Sequence, residues 1–164
     1  MYRHMCCSFL VLLGAICSQI SVAQTPQSPE DFLGHPVGAD YTLVKWPRIV
    51  EYFEHLAANS DRIVIEDIGP TTEGNRMILA TISSPQTVAN LGPSRSAQRK
   101  IADPRLISDA EERRRLTNET KVPVLVNCQL HSNEVAGSQM SMELAYDLVT
   151  DDSPRMQEIR ERCI

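Results

Sequence analysis

Cysteine, histidine and aromatic residues are scarce in this chain, and each shortage closes off a class of protein. Of its five cysteines, Cys6, Cys7 and Cys17 lie in a leading apolar segment, leaving Cys128 and Cys163. Two thiols cannot build a disulfide framework. One bridge between them or two free thiols remain open, and a buried free thiol at Cys128 is the expected arrangement. No apolar stretch reaches the roughly 20 residues that a membrane-crossing helix needs. Basic residues number 16 against 21 acidic ones, for a formal net charge of −5, and aromatic residues, at 5%, do not interleave with basic ones as a nucleic-acid surface requires. This balance supports solubility and argues against nucleic acid as a partner. Also missing are a His-Glu-x-x-His helix, a Gly-x-Ser-x-Gly elbow and a phosphate-binding glycine loop, which sets aside three familiar hydrolase and nucleotide-binding chemistries.

What is present begins with an export signal. Arg3 and His4 precede an apolar core over residues 9–20, and Ser21-Val22-Ala23 offers small residues where a signal peptidase inspects the chain. Residues 1–23 are therefore expected to be a signal peptide cleaved after Ala23, delivering the rest to a periplasmic or extracellular compartment. A core of roughly 12 residues is too short to span a bilayer, so no stable membrane insertion is expected. Lipid attachment at Cys17 is disfavoured by Ile16, at a position that normally carries a small residue.

Residues 24–45, with Pro26, Pro29, Gly34, Pro36 and Gly38, read as an extended N-terminal arm. Residues 46–164 read as the N-terminal part of one α/β domain. Ile49, Val50, Phe53, Leu56 and Ala57 recur at helical spacing, with Pro47 in the first turn, which predicts a helix over 46–59 with one buried face. His55 lies off that stripe and His35 sits in a Gly-Pro setting, and both are expected to be ordinary exposed residues. Residues 62–68 and 77–82 are β-branched runs on either side of turn residues, which predicts an antiparallel pair with Glu73 and Arg76 as solvated turn charges. Residues 83–121 are polar and broken by Pro85, Pro93 and Pro104. Only one short helix is expected there, opened by a capping box at Ser108-Asp109-Ala110-Glu111. Arg95, Arg99, Lys100 and Arg113 to Arg115 alternate with acids and read as a solvated face. The apolar run 122–128 has the pattern of a strand buried on both faces. A helix follows from Glu134 to about Val149, and residues 156–164 read as a short helix leading into another strand.

The apolar run ends in Gln129-Leu130-His131-Ser132-Asn133-Glu134. In a tight strand-to-helix turn, side chains at i and i+3 converge, so a neutral imidazole and a carboxylate can share one zinc ion. The carboxyl end of a strand in an α/β sheet is also where ligands sit. The same spacing fits a second role, in which His131 and Glu134 cap the helix and bond locally.

The segment Val124-Leu125-Val126-Asn127-Cys128-Gln129-Leu130-His131-Ser132-Asn133-Glu134-Val135-Ala136-Gly137-Ser138 resembles the first metal-binding motif of the zinc carboxypeptidases related to carboxypeptidase A. Ile68-Gly69-Pro70-Thr71-Thr72-Glu73-Gly74-Asn75-Arg76-Met77-Ile78 is similar to the strand-turn-strand that precedes that motif. The resemblance implies an α/β fold with a mixed sheet and flanking helices, a Zn2+ cofactor and a peptide or protein substrate cleaved near its C-terminus. It further implies that His131 and Glu134 are two of three zinc ligands. The third ligand, the catalytic glutamate, the carboxylate-gripping arginines and the substrate-capping tyrosine of the family have no matching position here. No catalytic base is assigned, His35 and His55 are not recruited, and the 164-residue chain is expected to be an inactive N-terminal portion. Two alternatives stand beside the peptidase: a secreted non-catalytic binding module or pseudoenzyme of the same fold, and a zinc-dependent amidohydrolase of N-acyl amino acids.

The exported product should begin at Gln24. N-terminal sequencing of the secreted polypeptide checks this, and a product that retains residues 1–23 removes the signal-peptide assignment.

Overall fold

A computed structural model describes residues 25–164 of the chain. The expected signal peptide, 1–23, lies outside the described residues. The arm is not extended throughout, because its prolines and glycines supply the ends of a one-turn helix, α1 (Pro29–Leu33). Ser28 caps it by accepting from the Asp31 backbone N–H, Pro29 occupies a first-turn position where no N–H is needed, and Gly34 closes it at φ +77°.

Helix α2 (Trp46–Asn59) forms where the spacing predicts and buries Ile49, Val50, Tyr52, Phe53 and Leu56. Strands β1 (Ile63–Pro70) and β2 (Arg76–Ile82) pair antiparallel, from Ile63↔Ile82 to Asp67↔Ile78, with a register shift before Pro70↔Arg76. Arg76 is not a free turn charge. Its guanidinium bonds Glu54 on α2 at 2.7 Å and Asp67 on β1 at 3.0 Å, while its carbonyl accepts from Trp46 Nε1 at 2.7 Å. The hairpin is thereby tied to the outer side of α2.

Between Ser83 and Lys121, where one helix was expected, three form: α3 (Pro85–Ala89), α4 (Leu91–Ala102) and α5 (Ala110–Glu119), with a 3-10 turn at Pro104–Leu106. Pro85 and Pro93 fall in first turns, whose N–H groups have no intrahelical partner, so they start helices rather than break them. The cap of α5 lies one residue later than the sequence suggests. Asp109 accepts from the Glu112 N–H, and Glu112 reaches back to the N–H and hydroxyl of Ser108, both at 2.8 Å. The basic residues here are surface partners of acids, as in Arg95 with Glu66 and Lys100 with Glu112.

Helices α6 (Val135–Thr150) and α7 (Pro154–Arg162) complete the order. Met142, Ala145 and Val149 on one stripe of α6 pack with Val44, Ile49, Tyr52, Phe53 and Leu56 of the α2 region and with Ile63 of β1, and this is the core. Arg62 donates to the Val149 carbonyl, buried Arg160 donates to the carbonyls of Leu148 and Asp151, and both guanidiniums bond Asp152. Two cations thus occupy the carbonyl end of α6, where the helix dipole favours them.

The segment 122–128 departs from expectation. Among the described residues it forms no continuous strand and pairs only at its start, through a parallel bridge of Val122 to Cys163, and Val124, Leu125 and Val126 are exposed. An apolar strand is buried only when neighbours flank it, and among the described residues its inter-segment backbone bonds run to Arg162 and Ile164. The α/β architecture holds, with an antiparallel hairpin and a parallel bridge. Cys128 is half-buried and free, as is Cys163.

Bonds from Lys100 first, and then from Ser108, hold the Glu112 carboxyl down at about 2. A depressed carboxylate stabilises the fold above its ordinary pKa, here 4.5, and loses that contribution as pH falls toward 2. Helicity at α5, followed by amide exchange, should therefore decline between those limits in the native chain. Glu112→Gln should remove that dependence.

Candidate metal centre

His131 and Glu134 meet at the turn into α6. Nδ1 of the imidazole and Oε1 of the carboxylate are 2.7 Å apart, and Oε2 accepts from the backbone N–H groups of His131 at 2.9 Å and Leu130 at 3.1 Å. The Glu134 N–H donates to the His131 carbonyl at 3.0 Å, which closes the turn. Glu134 stands at the N-cap of α6, yet its carboxylate bonds backward to the turn and not forward to the helix. The local-bonding role raised by the spacing is thus realised, and it is the same set of bonds that brings the two donor atoms together.

The bond from the His131 ring, and then those from the two backbone N–H groups, hold the Glu134 carboxyl below its usual range. An ionised carboxylate only accepts, so Nδ1 carries the proton in this bond. Both side chains are open to solvent, at 66% and 49% exposure. The Cys128 thiol nearby is pushed up by burial, away from the thiolate that a metal would need.

The donor chemistry suits zinc, which takes imidazole nitrogen and carboxylate oxygen, and whose tetrahedral ligand atoms stand about 3.3 Å apart. Binding through Nδ1 would displace the proton it now shares with Glu134. Among the described residues, no third His, Cys, Asp or Glu joins these two in a group able to hold a metal ion. His35 sits in its own turn with Nδ1 2.9 Å from the Pro36 carbonyl, and His55 belongs to α2, where its ring accepts from the Gln27 N–H. Both are half-buried, not exposed as the sequence suggests, and His55 is covered by the arm.

What places the turn is Gly137, whose importance the sequence does not announce. A Cβ there would lie 1.8 Å from the Cys128 carbonyl oxygen and 3.0 Å from its carbon. The first turn of α6 therefore rests directly on the backbone at the end of the 122–128 segment, and only glycine permits it. This backbone contact fixes how far the segment runs before it must turn, and so where His131 and Glu134 stand.

Gly137→Ala sets two effects against each other. Helix propensity alone favours alanine by about 1 kcal/mol, whereas relieving the overlap requires a backbone shift costing about 1–3 kcal/mol. The expected outcome is a net loss of stability in urea unfolding. A variant more stable than the native chain would show that the contact does not constrain the turn.

A family model described as zinc carboxypeptidase matches residues 49–164, a stretch that takes in most of α2, both strands and the His131–Glu134 turn. No curated protein and no solved structure matches the chain. With well over half of its length matched, the chain belongs to the zinc carboxypeptidase family.

Proposed function

We propose that this chain carries part of the centre of an exported zinc-dependent carboxypeptidase, with His131 and Glu134 as two of the metal's ligands. The observation that carries this reading is the convergence of His131 Nδ1 and Glu134 Oε1 at 2.7 Å, at the start of a helix. Zinc, when bound at such a site, polarises a carbonyl and lowers the pKa of a bound water to near neutrality. The chain's own residues supply the hold on it. His131 contributes a neutral nitrogen after giving up the Nδ1 proton, Glu134 contributes negative charge, and the N–H groups of Leu130 and His131 keep the carboxylate aimed. Solvent access to both side chains leaves room for a peptide or protein substrate. No residue here is assigned as catalytic base. Export, supported by residues 1–23, places the activity outside the cytoplasm.

A second reading, a secreted binding module or pseudoenzyme of the same fold, has one observation in its favour: among the described residues the pair is joined by no third ligand. The two readings separate on zinc binding at His131 and Glu134.

Zinc titrated into the metal-stripped 164-residue chain should bind once per chain. His131→Ala and Glu134→Ala should each weaken binding by at least the roughly 10–100-fold that loss of a mere supporting partner costs. Unchanged affinity in both variants would remove the metal-centre reading. The same chain should not turn over a C-terminal peptide reporter, and chelator-sensitive hydrolysis would mean that it supplies the missing ligand and base itself.

A further inference from the structure

The N-terminal arm is held on the body of the protein by a joint whose chemistry depends on one imidazole. The Gln27 backbone N–H donates to His55 Nε2 at 3.0 Å, while the Gln27 carbonyl accepts from the Tyr52 hydroxyl at 3.1 Å. Both backbone groups of a single arm residue are thus taken up by α2 side chains one helical turn apart. Phe32 of α1 completes the joint: its ring centroid lies 5.1 Å from that of Tyr52 and 5.5 Å from that of His55, with the Arg48 guanidinium 3.8 Å from its centre. Arg48 also donates to the Phe32 carbonyl at 2.8 Å. Phe32 and Leu33 pack on the core, and α1 touches α6 as well as α2, so the arm straps the two main helices together.

A backbone N–H can only donate, so Nε2 must be an acceptor and His55 must be neutral, with its proton on Nδ1. Asn59 Nδ2 approaches Nδ1 at 3.3 Å but bonds the His55 carbonyl at 2.8 Å, and in this tautomer the longer approach is not a bond. Protonating the ring puts a hydrogen on Nε2 that faces the Gln27 N–H, which converts an attraction into a clash of donors. The charged and titratable groups around the joint are Tyr52, Arg48 and Glu51 of α2, Asp31 of α1, and Tyr146 and Asp147 of α6. Burial first, and then the last two, push the Tyr52 hydroxyl up, so it keeps its proton and its bond to Gln27. Asp31 bonds Ser28 and Glu51 bonds Arg48; among the described residues no carboxylate bonds the His55 ring to hold an imidazolium in place.

We propose that His55 is a pH-sensitive latch for the N-terminal arm, closed when the imidazole is neutral and opened by its protonation. Docking and protonation compete for Nε2, so the arm is held while the ring is neutral and released when it is protonated. Release would uncover Tyr52, which is fully buried beneath the strap.

The test is hydrogen exchange of the arm, residues 25–35, in the full chain at pH 8 and pH 5, the range over which imidazole changes charge, with rates corrected for the intrinsic effect of pH. The native chain should lose at least about tenfold of its arm protection at pH 5, a drop that corresponds to about 1.4 kcal/mol. His55→Gln offers an acceptor that does not titrate and should keep the arm protected at both values, whereas His55→Phe should leave it unprotected at both. Equal protection of the native arm at both pH values overturns the proposal. So does a pH-dependent loss in His55→Gln as large as in the native chain. Should a variant fail to fold, the nitrogen resonance of Nε2 in the native chain decides. Its titration midpoint should coincide with the loss of Gln27 amide protection, and a separation of more than about one pH unit overturns the latch.

Discussion

The packing of α6 on α2 is the contact on which the rest of the described structure depends. Met142, Ala145 and Val149 meet Tyr52, Leu56 and Ile49, and each large apolar side chain so buried contributes about 1.5–3 kcal/mol. Neither helix would be stable alone at its length. The other elements attach to this pair. The hairpin is fastened to α2 through Arg76 and Trp46, the arm crosses both helices, and α7 supplies the arginine that caps the far end of α6. Because α6 is fixed in its middle by the core and at its carbonyl end by Arg62 and Arg160, its first turn has a defined position against which the approaching segment can stop.

Much of this was legible in the sequence. The limits of α2 follow from apolar spacing and a first-turn proline, the hairpin from two β-branched runs about a turn, and α6 from its stripe of Met142, Ala145 and Val149. What escaped has physical causes of three kinds. Prolines at 85 and 93 read as breaks although their positions relative to a helix start make them tolerable, and that depends on where neighbouring helices permit a start. The 122–128 run states that both of its faces are apolar, but burial belongs to the pair of strands in contact and not to the strand. His55 lies off the core stripe of α2, and it is covered by the arm, a contact that no periodicity within α2 can express.

The candidate site divides in the same way. That His131 and Glu134 face one another follows from their spacing in a turn, and the structure adds that the carboxylate is held by two backbone N–H groups. The contribution of Gly137 could not be read, because its Cβ would collide with a carbonyl nine residues earlier in the chain, and only the fold brings the two together. The family match spans residues 49–164, and within it the His131–Glu134 contact lies at 2.7 Å.

The bond from Arg62 to the Val149 carbonyl joins positions 87 residues apart, and it has a consequence for biogenesis. A ribosome adds about 5–20 residues per second, so α2 and the start of β1 exist for about 4–17 seconds before the far end of α6 has been made. Throughout that interval the stripe of Ile49, Tyr52, Phe53 and Leu56 has no α6 to cover it, and a chain in this condition is a natural client for a chaperone. The long reach of this one interaction therefore keeps the nascent polypeptide unfolded for longer than its small size would suggest.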